Sequence, residues 1–165
     1  MLYVAIIVVV FLVLLISKCV IVVPEGNAFV IERLGRYDRT LPPGLHVIPP
    51  FTDRVAFRYS VLPREETISD QCVTLDNVPV RVTSVLRAQI RDARQAAYAT
   101  ANAADSIVTL VRTHQRQSIG QRSWDDLRQY PRELESAVVS AAAGPAGEMG
   151  VTILALDVKN LERVE

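Results

Sequence analysis

This sequence contains few cysteines and histidines and has no excess of either charge, and each of these absences excludes a class of function. The 165 residues include two cysteines, which are too few for a disulfide framework and lack the spacing of a metal site. Basic and acidic residues balance at 18 each, so no bulk attraction to nucleic acid is expected. Cys72 lies in a predicted strand and is interpreted as a small buried hydrophobe. The length suits one domain, with room for two lobes.

The sequence also lacks any recognisable catalytic motif. His46 lies in a proline-rich stretch and His114 lies on the apolar stripe of a predicted helix, where a structural role is favoured. The carboxylate pairs Glu65–Glu66 and Asp125–Asp126 are adjacent, so their side chains point to different sides of a strand or helix. We therefore predict that the protein is not an enzyme and needs no cofactor or metal. A triad assembled in space, as in a membrane-tethered hydrolase, stays open as a less favoured alternative.

One long hydrophobic run occupies the N-terminus. Every residue from Leu2 to Ile16 is apolar, and the run resumes after Lys18 and continues to Val23. Leu2 to Val23 is 22 residues, and at ~1.5 Å per residue a helix of that length spans a ~30 Å hydrocarbon core. No basic residue precedes the run and no A-x-A-like site follows it, so a retained transmembrane anchor over residues 1–23 is favoured over a cleaved signal peptide.

The basic residues nearest to this run predict its orientation. Lys18 lies near the C-terminal end of the run, Arg33, Arg36 and Arg39 follow it, and no basic residue precedes it. By the positive-inside rule, we expect a single-pass membrane protein whose soluble domain lies on the cytoplasmic face. Cys19 is juxtamembrane and could carry a reversible acyl chain.

Residues 24–90 have the alternating pattern of a strand-rich lobe. NAFVIERL predicts a strand that ends at Gly35, and CVTL is predicted to pair with VRVTSVLRAQI across the turn DNVP. RVAFRYSVL alternates strictly, which is typical of a half-buried strand. Its apolar face contains Val55, Phe57, Tyr59 and Val61.

Residues 91–165 have the pattern of a helical lobe that ends in one strand. Asp92 opens a short helix, and Asp105 to Ile119 predicts a longer one with a stripe of Ile107, Leu110, Val111 and His114. Ser123 and Asp126 predict a capping box. Pro131 suits the first position of another helix, with a stripe of Leu134, Ala137, Val138 and Ala141, which GPAGEMG is expected to interrupt. VTILALDV closes the chain as a strand, and the fold class is α+β.

The stretch ERLGRYDRTLPPGLHVIPPF, residues 32–51, combines proline pairs with apolar side chains. Proline resists both helix and ladder pairing, so we expect a loop shaped by stiff proline dihedrals and by packing. Its apolar side chains would be costly to leave in water as one patch. We predict that they contact the membrane surface, and the alternative is that they plug the end of the strand-rich lobe. The predicted membrane-contact residues are Leu41, Leu45, Val47, Ile48 and Phe51.

Residues 81–132 contain nine arginines and four aspartates, which is a local excess of positive charge. Such an excess suits anionic lipid or an acidic face of another subunit. Few aromatics are interleaved for base stacking, so nucleic acid is not expected as a partner. We predict an oligomer or partner face that includes Arg112, Arg116, Arg122 and Arg128.

Six fragments after the hydrophobic run, in this order, resemble the SPFH family of stomatins, prohibitins, flotillins and related proteins, and within it the stomatin-like branch. They are VPEGNAFVIERLGRY, LPPGLHVIPPFTDRV, TLDNVPVRV, IRDARQAAYA, RQSIGQRSWDDL and MGVTILALDVKNL. The resemblance covers nearly the whole chain beyond the run. It implies two subdomains, here residues 24–90 and 91–165, in a membrane-anchored, Band 7-type scaffold. It also implies oligomerisation with itself or related subunits, and organisation of a membrane microdomain.

Two further expectations follow from the resemblance. Family members usually continue into a long charged helix, so smaller or mixed assemblies are expected if Glu165 is the natural end. In bacteria such proteins often work beside membrane proteases. A regulator of a membrane protease or channel is therefore the alternative to a scaffold, and it differs from the scaffold mainly in its partner.

Overall fold

The computed structural model describes residues 3, 19–49, 51–100 and 102–164. Strands alternate with loops in the first part of the chain, and helices follow. The strands are β1 (Val20–Val23), β2 (Asn27–Arg33), β3 (Arg36–Leu41), β4 (Gly44–Val47), β5 (Asp53–Ser60), β6 (Arg64–Val73), β7 (Pro79–Ile90) and β8 (Val151–Arg163). The helices are α1 (Ala93–Tyr98), α2 (Ala103–Gly120), α3 (Trp124–Gln129) and α4 (Pro131–Glu148).

The chain divides into two compact units, Met1–Val61 and Leu62–Glu165. The sequence instead predicted the division between Ile90 and Arg91. The difference arises because β6 and β7 form a sheet with the last strand, β8, so this hairpin belongs with the helices. The α+β class is confirmed.

Unit 1 contains a three-stranded antiparallel sheet in the order β3-β2-β5 and a separate two-stranded ribbon of β1 and β4. The strand predicted in NAFVIERL is confirmed as β2, every residue of which from Ala28 to Glu32 is buried. The core of unit 1 contains Val23, Phe29, Ile31, Leu41 and Ile48. Because this core joins residues of β1, β2 and the proline-rich stretch, the ribbon is part of the folded unit.

The proline-rich stretch is not the loop that the sequence predicted, because it contains β3 and β4. Pro42 and Pro43 lie between the two strands, and Pro49 follows the second. Since these positions lie outside the ladders, their missing N–H groups cost no strand pairing.

The predicted membrane helix is wrong at its C-terminal end. Val20–Val23 forms strand β1, paired antiparallel with β4. The sequence VIVV consists of β-branched residues, which favour strands. The rest of the predicted span, with Leu2 and Ile16, lies outside the described residues except for Tyr3. Among the helices that the structure describes, none has the length and hydropathy needed to cross a membrane.

Unit 2 contains an antiparallel sheet in the order β6-β7-β8. The predicted hairpin is confirmed, although β6 begins at Arg64 rather than at Cys72. Val80, Val82, Ser84 and Leu86 are buried at alternate positions of β7. Helix α2 packs against β6 and α4, and α4 packs against β8.

The helix starts follow the predicted capping chemistry. Asp92 caps α1 by accepting hydrogen bonds from the N–H groups of Arg94 and Gln95. Ser123 and Asp126 form the predicted capping box of α3. Helix α2 begins two residues earlier than predicted, with Asn102 as its cap.

The interruption predicted at GPAGEMG is wrong, because α4 continues through Pro145 to Glu148. Pro145 removes one hydrogen-bond donor inside the helix. The buried side chains of Ala142 and Ala146 lie on either side of it and keep the helix packed. Leu134 and Val138 are buried as predicted, whereas Ala141 is exposed.

Candidate functional site

The β1–β4 ribbon presents one apolar face to the exterior. Antiparallel pairing places Val20 opposite Val47 and Val22 opposite Leu45. Directly paired residues point to the same face of a two-stranded sheet. All four side chains are exposed, with exposed fractions of 47% for Val20, 71% for Val47, 64% for Val22 and 74% for Leu45. We call Val20, Val22, Leu45 and Val47 the ribbon face.

The opposite side of the ribbon attaches it to unit 1. Val23 is in the core, and Ile21 packs against that core. The Nε2–H of His46 donates to the carbonyl oxygen of Pro42 at 2.7 Å, because a carbonyl can only accept. The N–H of Ile48 donates to the carbonyl of Cys19 at 2.7 Å and closes the end of the ribbon. These contacts fix which face of the ribbon is exposed.

Two further exposed apolar residues lie in neighbouring turns of unit 1. Phe51 and Leu34 are each 81% exposed. The N–H of Leu34 donates to the carbonyl of Thr52 at 3.0 Å, which brings the β2–β3 turn next to the turn before β5. Leu34 has a positive φ of 51°, in the left-handed region that a residue with a side chain rarely adopts.

The five predicted membrane-contact residues fall into an exposed group and a buried group. Leu45, Val47 and Phe51 are exposed, whereas Leu41 and Ile48 are only 4% and 5% exposed and lie in the core. The prediction is therefore corrected for Leu41 and Ile48, which fill the interior of unit 1 as the alternative proposed. The reason is strand geometry, since side chains alternate between the two sides of β3 and β4 and of the residues that follow them.

Sequence reasoning missed Val20, Val22 and Leu34. The first two were assigned to a membrane helix, because apolar content was given more weight than β-branched composition. Val23, assigned to the same helix, lies in the core of unit 1. A signal was present in VIVVPEG, because a β-branched run followed by Pro-Glu-Gly is typical of a strand and a turn.

Charged side chains brace the two turns beside Phe51. The buried carboxylate of Asp53 accepts from Arg33 Nε at 2.8 Å and from Arg39 Nη2 at 3.3 Å. The hydroxyl of Thr52 also donates to it, at 2.9 Å. The hydrogen bond from Arg33, supported by that from Thr52, lowers the pKa of Asp53 to about 2. Asp38 contacts both arginines, so the cluster links β2, β3 and β5.

The four arginines of the predicted oligomer or partner face also fall into two groups, two exposed and two held by intramolecular contacts. Arg112 and Arg128 are exposed. Arg116 forms a bidentate ion pair with Asp70, with distances of 2.7 and 2.8 Å, which raises the pKa of Arg116. Arg122 is half-buried and donates to the carbonyl of Ser118 at 3.0 Å. Arg116 and Arg122 therefore have intramolecular roles that the sequence did not predict.

The remaining candidates for chemistry are Cys72 and His114, and the Cys72 thiol contacts the carboxylate of Asp70. Cys72 is buried, as predicted, and its burial raises the pKa of its thiol. His114 is half-buried on α2. Within the part of the chain that the structure describes, no group of three or more His, Cys, Asp or Glu residues is placed to hold a metal ion.

Comparisons with known proteins define the class of this fold. A model of the SPFH domain / Band 7 family matches residues 21–164. The chain belongs to the SPFH domain / Band 7 family. Members of this family are generally membrane scaffold proteins, and the stomatin-like relatives are generally non-enzymatic.

Individual relatives narrow the resemblance to the stomatin-like branch. Stomatin-like protein 2, mitochondrial, of Homo sapiens is 31% identical over 146 residues, which cover 88% of this chain and 41% of that protein. An uncharacterized protein of Schizosaccharomyces pombe is 31% identical over 144 residues, with 87% and 41% covered. One from Mycobacterium bovis is 25% identical over 155 residues, with 93% and 41% covered. The chain thus spans about two-fifths of the length of these relatives.

Proposed function

We propose that the protein is a non-enzymatic membrane scaffold that lays the ribbon face against the lipid surface. The observation that carries this proposal is the coplanar set Val20, Val22, Leu45 and Val47, exposed on one side of a ribbon whose other side packs into the core. Four neighbouring apolar side chains on one flat face are more than the scattered exposure that is normal for a soluble surface.

The energetic argument favours lipid over water. Full burial of one Val or Leu side chain contributes about 1.5–3 kcal/mol. Four partly exposed side chains therefore offer several kcal/mol when they enter an apolar phase. The ribbon follows directly after the apolar sequence of residues 2–16, so a chain held in the bilayer by that stretch would bring the ribbon face to the same surface.

The depth of single labelled positions in the full chain tests this docking. In a C19S/C72A background, Leu45→Cys labelled with the fluorophore NBD should show blue-shifted emission in nanodiscs and quenching by brominated lipid chains. Glu66→Cys on β6 is the matched control, because Glu66 is exposed and polar. We expect its label to report water. Emission from position 45 that matches position 66 and resists quenching would overturn the docking proposal.

We also propose that the chain assembles in the membrane with itself or with related subunits, and that the domain lies on the cytoplasmic face. The family resemblance supports assembly, and the basic residues after the apolar run support the orientation. Chemical cross-linking of the full chain in native membranes should give dimers and larger species. The variant R112E should reduce them if the exposed Arg112 contributes to the contact. A strictly monomeric pattern would remove the scaffold role, and a C-terminal reporter active only outside the cytoplasm would reverse the orientation.

A further inference from the structure

Unit 2 contains a groove with a volume of about 230 Å³ and a mixed lining, slightly more apolar than polar, between α3, the start of α4 and the second half of β8. Leu127 and Leu134 are fully buried beneath it. Its exposed and half-buried walls are formed by Trp124, Pro131, Val158 and Leu161. The groove belongs to unit 2, whereas the ribbon face belongs to unit 1. A ligand-binding role for the groove therefore does not depend on the proposed membrane docking.

The rim of this groove is positively charged. Arg128 and Lys159 line it and are exposed. The guanidinium of Arg163 lies 4.9 Å from the centroid of the Trp124 ring. Two exposed cationic side chains, Arg128 and Lys159, therefore border the groove, and a third, Arg163, stacks on its Trp124 wall.

Several carboxylates lie near the rim, but in the described part of the chain none forms an ion pair with Arg128, Lys159 or Arg163. Glu135 accepts the N–H of Val158 at 2.8 Å, and Asp126 is held in the capping box of α3. Asp125 precedes Arg128 by three residues on α3, and Glu162 accepts from Asn160, which also lines the groove. Asp76 faces Arg163, which helps to lower the pKa of Asp76. Among the described residues Arg128 and Lys159 form no ion pair, so these two cations are the part of the rim that is complementary to a carboxylate supplied from outside.

The walls are held in place before any ligand binds. The N–H of Trp124 donates to the carboxylate of Asp76 at 3.2 Å, and Thr74 donates to the same carboxylate. Asp76 lies in the turn between β6 and β7, so this turn fixes the start of α3. A preformed groove loses little side-chain freedom on binding, which favours affinity.

Size and composition indicate the class of ligand. Pockets for small molecules usually measure about 300–1,000 Å³, and this groove is smaller. It has room for one or two apolar side chains. Its Trp and Arg residues are of the types enriched at the energetic centres of protein interfaces. We propose that the groove binds a peptide segment of a partner protein in which an apolar residue is flanked by aspartate or glutamate.

Selection from a random peptide library displayed on phage tests the proposal. The target is the full chain in nanodiscs, with counter-selection on empty nanodiscs. We expect the enriched sequences to share a Leu, Phe or Trp next to acidic residues. Synthetic peptides of that consensus should change the fluorescence of Trp124 saturably, and this readout is specific because Trp124 is the single tryptophan of the sequence.

Charge reversal at the rim supplies the decisive comparison. R128E/K159E should weaken peptide binding at least tenfold, whereas R64E/R91E, with the same change in net charge at two other exposed arginines, should leave it within twofold. Far-ultraviolet circular dichroism checks that both variants are folded. Absence of an enriched consensus, a basic consensus, or equal binding to R128E/K159E would overturn the proposal. So would a response of Trp124 to anionic lipid alone, or to protein concentration alone, because the occupant would then be membrane or a second copy.

Discussion

Val22 and Leu45 lie opposite each other across the β1–β4 ribbon, and both side chains point away from the core. Three residues beyond Leu45, the side chain of Ile48 lies in that core. The same proline-rich stretch therefore supplies both an exposed face and part of the interior of unit 1, and substitutions in it should have two distinct effects.

Ile48→Ala should lower the free energy of unfolding by about 2–4 kcal/mol, because it leaves a cavity among Val23, Phe29 and Leu41. Leu45→Ala is the matched control. In detergent it should change stability by no more than about 0.5 kcal/mol, because its side chain is exposed. Urea titrations followed by circular dichroism measure both values. Equal losses for the two variants would contradict this division.

The cluster around Asp53 predicts a dependence of stability on pH. Its pKa is lowered to about 2 in the folded protein, so the carboxylate contributes stability above about pH 4. That contribution is lost as the pH falls through about 2. Asp53→Asn should therefore be less stable than the wild type at neutral pH, and the difference should shrink between about pH 4 and pH 2.

Denaturant titrations at a series of pH values measure this difference. Glu66→Gln serves as the control, since Glu66 is exposed, and its difference from wild type should remain small. A penalty for Asp53→Asn that is unchanged from pH 6 to pH 2 would show that the carboxylate charge contributes nothing.

Gly150 lies where the end of α4 meets the start of α1, and its φ is +69°. A Cβ at this position would lie 2.4 Å from the carbonyl oxygen of Asp92. Gly150→Ala should therefore destabilise unit 2 by about 2 kcal/mol or more. Gly147→Ala, in the last turn of α4 with no atom within 4 Å of its would-be Cβ, should instead be neutral or stabilise by about 0.5–1 kcal/mol. Urea titrations followed by Trp124 fluorescence measure the free energy of unfolding of both variants. Changes of the same sign in the two variants would contradict this prediction.

Ser84 and Gln115 form a buried polar pair between β7 and α2. The hydroxyl of Ser84 donates to Gln115 Oε1 at 2.9 Å, and Gln115 Nε2 is buried without a hydrogen-bond partner among the described residues. Ser84→Ala should cost about 1–3 kcal/mol, because it leaves the carbonyl end of the amide unpaired as well. The double variant S84A/Q115L should recover most of that loss. A double-mutant cycle by urea titration measures the coupling, and strict additivity would contradict it.

Local signals predicted the strands and helices whose patterns are strong. Alternation in β7 and the capping residues Asp92 and Ser123 were sufficient, because each acts within a few residues of sequence. The length of β6 was missed because most of its side chains are exposed. Continuation of α4 through Pro145 depends on packing of Ala142 and Ala146, which is a tertiary effect that local proline rules do not include.

The candidate site was predicted in part for a similar reason. Leu45, Val47 and Phe51 followed from composition, since an apolar stretch near an apolar N-terminus suggested a lipid contact. The burial of Leu41 and Ile48, and the contribution of Val20 and Val22, depend on the pairing of β1 with β4. Pairing between segments more than twenty residues apart is not visible in periodicity, so the composition of the ribbon face required the structure.

The carboxylate of Glu135 on the backbone amide of Val158 has a consequence for how copies of this domain can meet. It occupies a donor at the margin of the sheet, where an incoming strand would otherwise add. A strand from another molecule that pairs with β8 at this point would first have to break the hydrogen bond between Val158 and the Glu135 carboxylate. The pairing of Glu135 with Val158 therefore disfavours strand addition at this position of β8.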